Sequence, residues 1–365
     1  MSVNSPAGMP EAARSKPKRR RLVTIADVAE RAGVSIPTVS KVINGRSHVS
    51  PQTRQRVEDA LREHGYHRRS RSASRNQTLE LLFHRLESEW ALEIIRGVQA
   101  VARDNGLGIV ISESPDGRGT ARGWIDEVVS RCPVGMISVS AELTGVQLTK
   151  LEAHSIPLVV VDPAGEPVHR TPSVGATNWS GGYAATRHLL ELGHRRIAAI
   201  SGPDDVLCAR ARLDGYRAAM DAAGVPTQGL IRSADFKVED GRRVAQQLLG
   251  LPEPPTAVVT GNDLQAFGVY EVARQQGLRI PEELSVVGFD DLPVASWLQP
   301  ALTTIRQPLR EMAGRAAELV VALGHGETPQ SSRIELSTEL VGRESTAPPR
   351  ARSTEVGNVN GSATG

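Results

Sequence analysis

Residues 24–66 read TIADVAERAGVSIPTVSKVINGRSHVSPQTRQRVEDALREHGY, and no other stretch constrains the fold as tightly. Start and stop signals divide it into three short helices. Thr24 is placed to cap the first, with Asp27 at its third helical position. Gly33 ends that helix and Ser35 caps the second. Asn44 and Gly45 tolerate the left-handed backbone of a helix end and stop the second. Ser50 caps the third, Pro51 suits its first position and Gly65 ends it. Helices this short do not persist alone, so they need a common core, for which Val28, Ala29, Val34, Val39, Val42, Val57 and Leu61 are suitably placed. Two of them joined by a Gly-containing turn form a helix-turn-helix, a unit whose second helix enters the DNA major groove.

Charge agrees with this reading. The net charge of +2 conceals a split: residues 1–75 carry 16 Lys/Arg against 6 Asp/Glu, and the remainder carries 27 against 35. A basic head on an acidic body is the electrostatic footprint of a DNA binder with a second, separate domain. Residues 1–20 lack the apolar run of a signal peptide, and no span is long enough for a membrane. Their Pro, Ala and basic residues predict a disordered basic arm. The segment 346–365, rich in Ser, Gly, Asn and Pro, is likewise expected to be disordered and carries no leucine heptads. Cys132 and Cys208 have no metal-ligand spacing, so no metal or cofactor is expected, and two thiols suit a reduced cytoplasmic setting.

From Thr78 short apolar runs alternate with amphipathic helical stretches. Strands are expected at Leu79–Phe83, Gly108–Ser112, Gly135–Val139, Leu158–Val161, Ile197–Ser201, Ala257–Thr260 and Val286–Phe289. Helices are expected at Ala91–Asn105, Gly181–Leu192, Arg212–Ala223 and Leu264–Gln276. This alternation predicts parallel sheets covered on both faces. About 270 residues exceed one sheet, so two doubly wound lobes are expected. Ligands of such sheets bind beyond the carboxyl ends of the strands, which here face each other across a cleft.

The head resembles the LacI/GalR family of bacterial transcription regulators, through Asp27-Val28-Ala29, Ala32-Gly33-Val34-Ser35 and Thr38-Val39-Ser40. The body resembles the sugar-binding-protein-like core of the same family over Thr78–Ser345. The residues that carry this are Glu191-Leu-Gly-His-Arg-Arg-Ile197, Arg212-Leu-Asp-Gly-Tyr216, Ser285-Val-Val-Gly-Phe-Asp-Asp291, Leu302-Thr-Thr-Ile-Arg-Gln-Pro308 and Leu340-Val-Gly-Arg-Glu-Ser345. The stretch Ser173–Gly182 is similar to one in actinobacterial regulators of xylose or xyloside genes. The resemblance implies an α-helical helix-turn-helix domain over 22–66 and a hinge over 67–77. It implies an α/β effector-binding and dimerisation core of two doubly wound parallel-sheet lobes, periplasmic-binding-protein-like, over 78–345. It also implies a cytoplasmic homodimeric repressor, not an enzyme, that binds an approximately palindromic operator and is released by a small sugar.

Carried over position by position, the family's base-reading residues fall on Ile36, Pro37 and Lys41. The first two can only press on thymine methyls or exclude other bases, which leaves Lys41 as the main major-groove donor. His48 matches a further position that reaches DNA. Thr24, Ser35, Thr38, Ser40, Asn44 and Thr53 are placed for phosphates, which fix register without reading sequence, although Thr24 and Ser35 are also ordinary helix caps. Relatives wedge a hinge leucine into the minor groove, and here that position is Arg75, in a stretch with no large apolar residue. Two readings stay open: arginines seated in a narrow minor groove, or a flexible charged linker.

The cleft residues carried over are Asp162, Arg212, Phe236, Asn262, Asp290 and Gln307, with Asp290 ending a strand and Arg212 opening a helix. A carboxylate, an amide and a guanidinium can clamp vicinal hydroxyls, and Phe236 can stack on a sugar ring. Trp90, after Glu87-Ser88-Glu89, can cover the other face or simply pack; Trp179 and Trp297 also follow strand ends. Some relatives take purines instead. An enzyme reading has only Gly117-Arg-Gly-Thr-Ala-Arg-Gly123 behind it, whose glycine spacing and position after the second strand do not fit a dinucleotide loop.

Overall fold

In the computed structural model, residues 25–43, 50–63, 77–86, 89–114, 123–141, 143–163, 171–328 and 331–350 are described. The chain divides into two compact units, residues 1–74 and 75–365.

The first unit holds α1 (Ile25–Ala32), α2 (Ile36–Ile43) and α3 (Pro51–Glu63). Gly33 takes φ +63°, the left-handed value that ends α1. The Thr53 amide donates to Ser50 Oγ at 3.2 Å, capping α3 as its sequence predicts. Val28, Ala29, Ala32, Val39, Val42, Val57 and Ala60 form the core, with Val34 and Leu61 against it. The basic arm at 1–20 and nearly all of the hinge lie outside the described residues, as does the glycine-rich loop up to its last glycine.

The second unit is two lobes. Lobe 1 contains β1 (Thr78–Phe83), α4 (Glu89–Asp104), β2 (Gly108–Glu113), α5 (Trp124–Arg131), β3 (Gly135–Val139), α6 (Gly145–Ala153), β4 (Leu158–Val161) and β5 (Ser173–Ala176). Lobe 2 contains α7 (Asn178–Glu191), β6 (Ile197–Ser201), α8 (Leu207–Ala222), β7 (Ile231–Ser233), α9 (Val238–Leu249), β8 (Ala257–Thr260), α10 (Asp263–Gln275), β9 (Ser285–Asp290), α11 (Pro293–Trp297) and β10 (Thr303–Arg306). The chain then returns to lobe 1 for α12 (Leu309–Gly324) and β11 (Arg333–Leu336), and ends in lobe 2 with β12 (Glu339–Val341). The sheet orders are β11-β5-β4-β3-β1-β2 and β12-β10-β9-β8-β6-β7. Every pairing is parallel except β10 with β12. Helices cover both faces of each sheet, so the inner strands are largely apolar, and in β3 and β6 every residue is buried.

The chain therefore crosses between lobes three times: at Thr177, at Gln307-Pro308 and at Ser337-Thr338. The first and third crossings are bonded together. The Thr338 amide donates to Thr177 Oγ1 at 3.0 Å, and the Thr338 hydroxyl donates to the Thr177 carbonyl at 3.2 Å.

All seven expected strands are present, but β5, β7, β10, β11 and β12 were not among them. Two expectations need correcting. Helix α8 begins at Leu207, so Arg212 sits in its second turn and does not open it. The chain also stays on lobe 2 past Ser345, where disorder was expected. The His188 ring meets Thr346 Oγ1 at 2.9 Å, His194 Nε2 meets the Ala347 carbonyl at 2.9 Å, and the Ala347 amide donates to Ser285 Oγ at 3.1 Å.

Candidate functional site

Strand ends in the second unit carry strained backbone. Ser140, Asp162, Asp290 and Asp291 all have positive φ (49°, 47°, 108° and 58°) at or just beyond the carboxyl ends of β3, β4 and β9. For residues with a Cβ this costs about 1–3 kcal/mol each, and such outliers gather where a site over-determines them.

Arg212 lies at the centre. It is only 7% exposed. Its Nε donates to Asn178 Oδ1 at 2.8 Å, and its Nη1 donates to the Gly261 carbonyl at 2.5 Å. The same Nη1 is 3.4 Å from Asp290 Oδ1, which also accepts from Gln307 Nε2 at 2.6 Å. The guanidinium carbon stands 3.8 Å from the centre of the Phe289 ring and 5.8 Å from that of Phe236. Stacking and the fork of hydrogen bonds fix its plane, which an ammonium could not reproduce.

Two buried carboxyls flank this cation. Burial pushes the Asp290 carboxyl up to about 6, against the pull of Arg212 and Gln307 and with a further push from Asp162. The folded-state value exceeds the ordinary 3.8, so ionised Asp290 costs stability at neutral pH. That cost is relieved as the pH falls through about 6 towards 3.8. Burial also raises Asp162, opposed by Arg212 and by hydrogen bonds with Cys208 and Ser140. Behind them Asp263, fully buried, is raised well above its usual range by burial and by Asp290. It accepts from the Leu292 amide at 2.7 Å and from Thr304 Oγ1 at 2.6 Å, which holds the turn after Asp290.

Phe236 forms part of the floor because two glycines admit it. A Cβ on Gly202, after β6, would stand 2.1 Å from the Phe236 ring, and one on Gly261, after β8, 3.0 Å. Gly202→Ala should displace this half-buried ring without unfolding the lobe. Effector affinity should fall by about tenfold, the worth of one aromatic contact, as read by a binding titration. Unchanged affinity would remove Phe236 from the ligand's surroundings.

Of the residues expected in the cleft, Arg212, Asp290 and Gln307 are brought into direct contact. Asp162 acts on them through charge, and Phe236 lies over the guanidinium. Asn262 is different: its side chain caps α10, accepting from the Gln265 amide at 2.9 Å, and donates to the Phe236 carbonyl at 3.2 Å. Its amide is thus spent on holding the Phe236 loop. Trp90 packs half-buried against the core of lobe 1. Trp179, 48% exposed, stacks on Tyr183 at 5.4 Å, and Trp297 is exposed. Asn178, Asp263 and Cys208 join this cluster without being among the residues the sequence places in the cleft. Asn178 had a signal, a Thr-Asn pair between a strand and a helix, but its partner is distant in sequence.

In the first unit, Ser35, Ile36, Pro37 and Thr38 cluster at the start of α2, and Ile36 exposes 53% of its surface. An exposed isoleucine at a helix start suits contact with a partner rather than a core. Thr53 lies half-buried on α3 and accepts from the Ser50 hydroxyl at 2.8 Å. Ser40 and Lys41 are on α2, but their side chains lie outside the described residues, as do Thr24, Asn44, His48 and Arg75 altogether.

Comparison with known proteins accounts for both units. Residues 24–69 match the family described as bacterial regulatory proteins, lacI family, and residues 186–346 match the periplasmic binding protein-like domain. The chain is 33% identical over 334 residues to the HTH-type transcriptional repressor CytR of Escherichia coli (strain K12), spanning 90% of this chain and 98% of that one. It is 34% identical to the HTH-type transcriptional repressor PurR of Escherichia coli O139:H28, spanning 89% and 97%. A structure described as a transcriptional regulator CelR–cellobiose complex is 32% identical, covers 88% and 99%, and superposes with a TM-score of 0.67. The lac repressor dimer bound to operator and the anti-inducer ONPF is 27% identical, covers 90% and 100%, and gives 0.65. These relatives are transcriptional regulators, and they cover 88–90% of this chain. The chain belongs to the lacI family of bacterial regulatory proteins: it is a DNA-binding transcriptional repressor under the control of a small-molecule effector.

Proposed function

We propose that this protein represses carbohydrate-utilisation genes and leaves its operator when a neutral sugar binds between the two lobes. The observation that carries this is Gln307. Its Nε2 is committed to Asp290, while its Oε1 is buried without a hydrogen-bond partner among the described residues. A buried acceptor left unmade costs about 1–3 kcal/mol, which a ligand hydroxyl would recover. Beside it stand a carboxylate and a guanidinium, the pair that clamps vicinal hydroxyls, with Phe236 for a ring face. One cation between Asp162 and Asp290 offers no surplus positive charge, so an anionic ligand is disfavoured. The cellobiose bound by the similar CelR is a ligand of this chemistry.

The protein acts as a cytoplasmic homodimer on an approximately palindromic operator, with Ile36, Pro37, Lys41 and His48 at the bases and Thr24, Ser35, Thr38, Ser40, Asn44 and Thr53 at phosphates. Arg75 lies in the hinge. Residues 22–66 are the DNA-binding domain and 67–77 the hinge. The test is a gel-shift titration on the DNA upstream of its own gene, repeated with mono- and disaccharides (xylose, xylobiose and cellobiose included) and with purines. Release by a neutral sugar is expected. Binding that no sugar alters and a purine strengthens would overturn the reading. Lys41→Ala should cost about 1–3 kcal/mol of discrimination between operator and random DNA; equal losses on both would reduce Lys41 to a phosphate contact.

A further inference from the structure

The polar cluster around Arg212 reaches beyond the cleft to the crossings between lobes. Asn178 stands directly after the first crossing and is 8% exposed. It does not cap its helix: Thr177 is the residue at the cap position of α7, and no side chain there bonds a helix amide. Instead Asn178 Nδ2 donates to the Ala176 carbonyl at 3.2 Å, on the last residue of lobe 1's β5. That leaves Oδ1 to accept from Arg212 Nε of lobe 2 at 2.8 Å. Arg212 meets Asp290, and the same Asp290 oxygen accepts from Gln307 at the second crossing.

We propose that Asn178 is a positioning residue that couples the lobe crossings. The chain Asn178–Arg212–Asp290–Gln307 ties the first crossing to the second, and the paired threonines 177 and 338 tie the first to the third. The reading rests on the proposed function only in that Gln307 and Arg212 are also the residues a ligand would grip. Each amide is held in one orientation by what it faces, so the chain has a fixed polarity and ends on the orphaned Gln307 Oε1. Its longest link is the 3.4 Å contact between Arg212 and Asp290, between two groups a ligand hydroxyl could bridge. The first crossing also has room to move. A cavity of about 230 Å³ opens beside it, lined by Asp162, Thr177, Asn178, Trp179 and Cys208 among others. A ligand at Gln307 therefore acts on two crossings at once, and these are the points about which the lobes must turn.

The test needs no ligand. Amide hydrogen exchange is followed in the full-length protein and in Asn178→Ala. Exchange should rise about tenfold around Thr177, as one buried hydrogen bond is lost. It should rise also at Arg306–Leu309, where the substitution touches nothing directly. Gln307→Leu should act along the same chain from its other end and speed exchange at Thr177. Val146→Ala, an exposed position on α6 away from the chain, should leave both crossings unchanged. Acceleration confined to the mutated crossing would overturn the proposal and make Asn178 a local brace. Should Asn178→Ala fail to fold, Gln307→Leu decides alone, since unchanged exchange at Thr177 overturns it equally. Failure of every sugar in the panel would leave this result untouched, so the two readings fail separately.

Discussion

Arg212→Lys should abolish the effector response while leaving operator binding in the absence of effector intact. The charge stays between Asp162 and Asp290, but the fork is lost. An ammonium cannot reach Asn178 Oδ1, the Gly261 carbonyl and Asp290 together, nor lie flat on Phe289. Buried hydrogen bonds from a charged group are worth about 1.5–3 kcal/mol each. Losing their geometry should weaken effector binding by about 100-fold or more. Operator titration with and without effector measures both quantities, and release at an unchanged concentration would show that the ligand does not use Arg212. Arg212→Leu should be worse. It strands two buried carboxyls without a counter-ion, at about 3–5 kcal/mol of stability, visible as early unfolding.

A second large effect should come from Gly182→Ala, a change of one methyl group. A Cβ there would stand 2.0 Å from the Arg212 carbonyl, and one on Gly215 would stand 2.1 Å from the Trp179 carbonyl. Helices α7 and α8 thus meet backbone to backbone, and neither clash can be relieved by turning a side chain. The helices must separate, which should cost about 3 kcal/mol or more and shift Arg212 with its helix. Chemical denaturation of the core would measure the loss. Gly175→Ala is the matched control, since its Cβ would meet nothing within 4 Å, and it should change stability by less than about 0.5 kcal/mol. Equal stability of the two variants would refute the close approach.

The parts of this structure legible in the sequence were those with a local signature. The head announces itself through caps and glycine stops. The inner strands are largely apolar runs, and Asp290 follows from Gly-Phe-Asp-Asp at a strand end. The outer strands are different. In β10, Thr303 and Thr304 are fully buried, but their hydroxyls are paid for by Arg343, Thr346 and Asp263, partners that no window of sequence brings together. Strands β7, β11 and β12 are short and half exposed, so alternation has little length in which to show. The start of α8 has no local signature, because Val206 at its cap makes no side-chain bond. Asn178 looked like one more polar residue at a helix start. Thr346 and Ala347 open a stretch with the composition of a loose tail, yet they are held by two histidines and Ser285.

The late return of the chain to lobe 1 sets an order for synthesis. The core of that lobe mixes Leu79, Phe83, Ile94 and Val98 with Met312, Ala316, Ala317 and Val320 of α12, and its sheet receives β11 only at residues 333–336. A nascent chain that has emerged as far as β5 carries an apolar sheet with one face covered only in part, by α4, and that face stays incomplete while the whole of lobe 2 is translated. The helix-turn-helix, whose core is drawn from residues 28–61 alone, can close long before. On the ribosome the DNA-binding unit precedes the switch that governs it, and a chain interrupted between β5 and α12 would retain the first without the second.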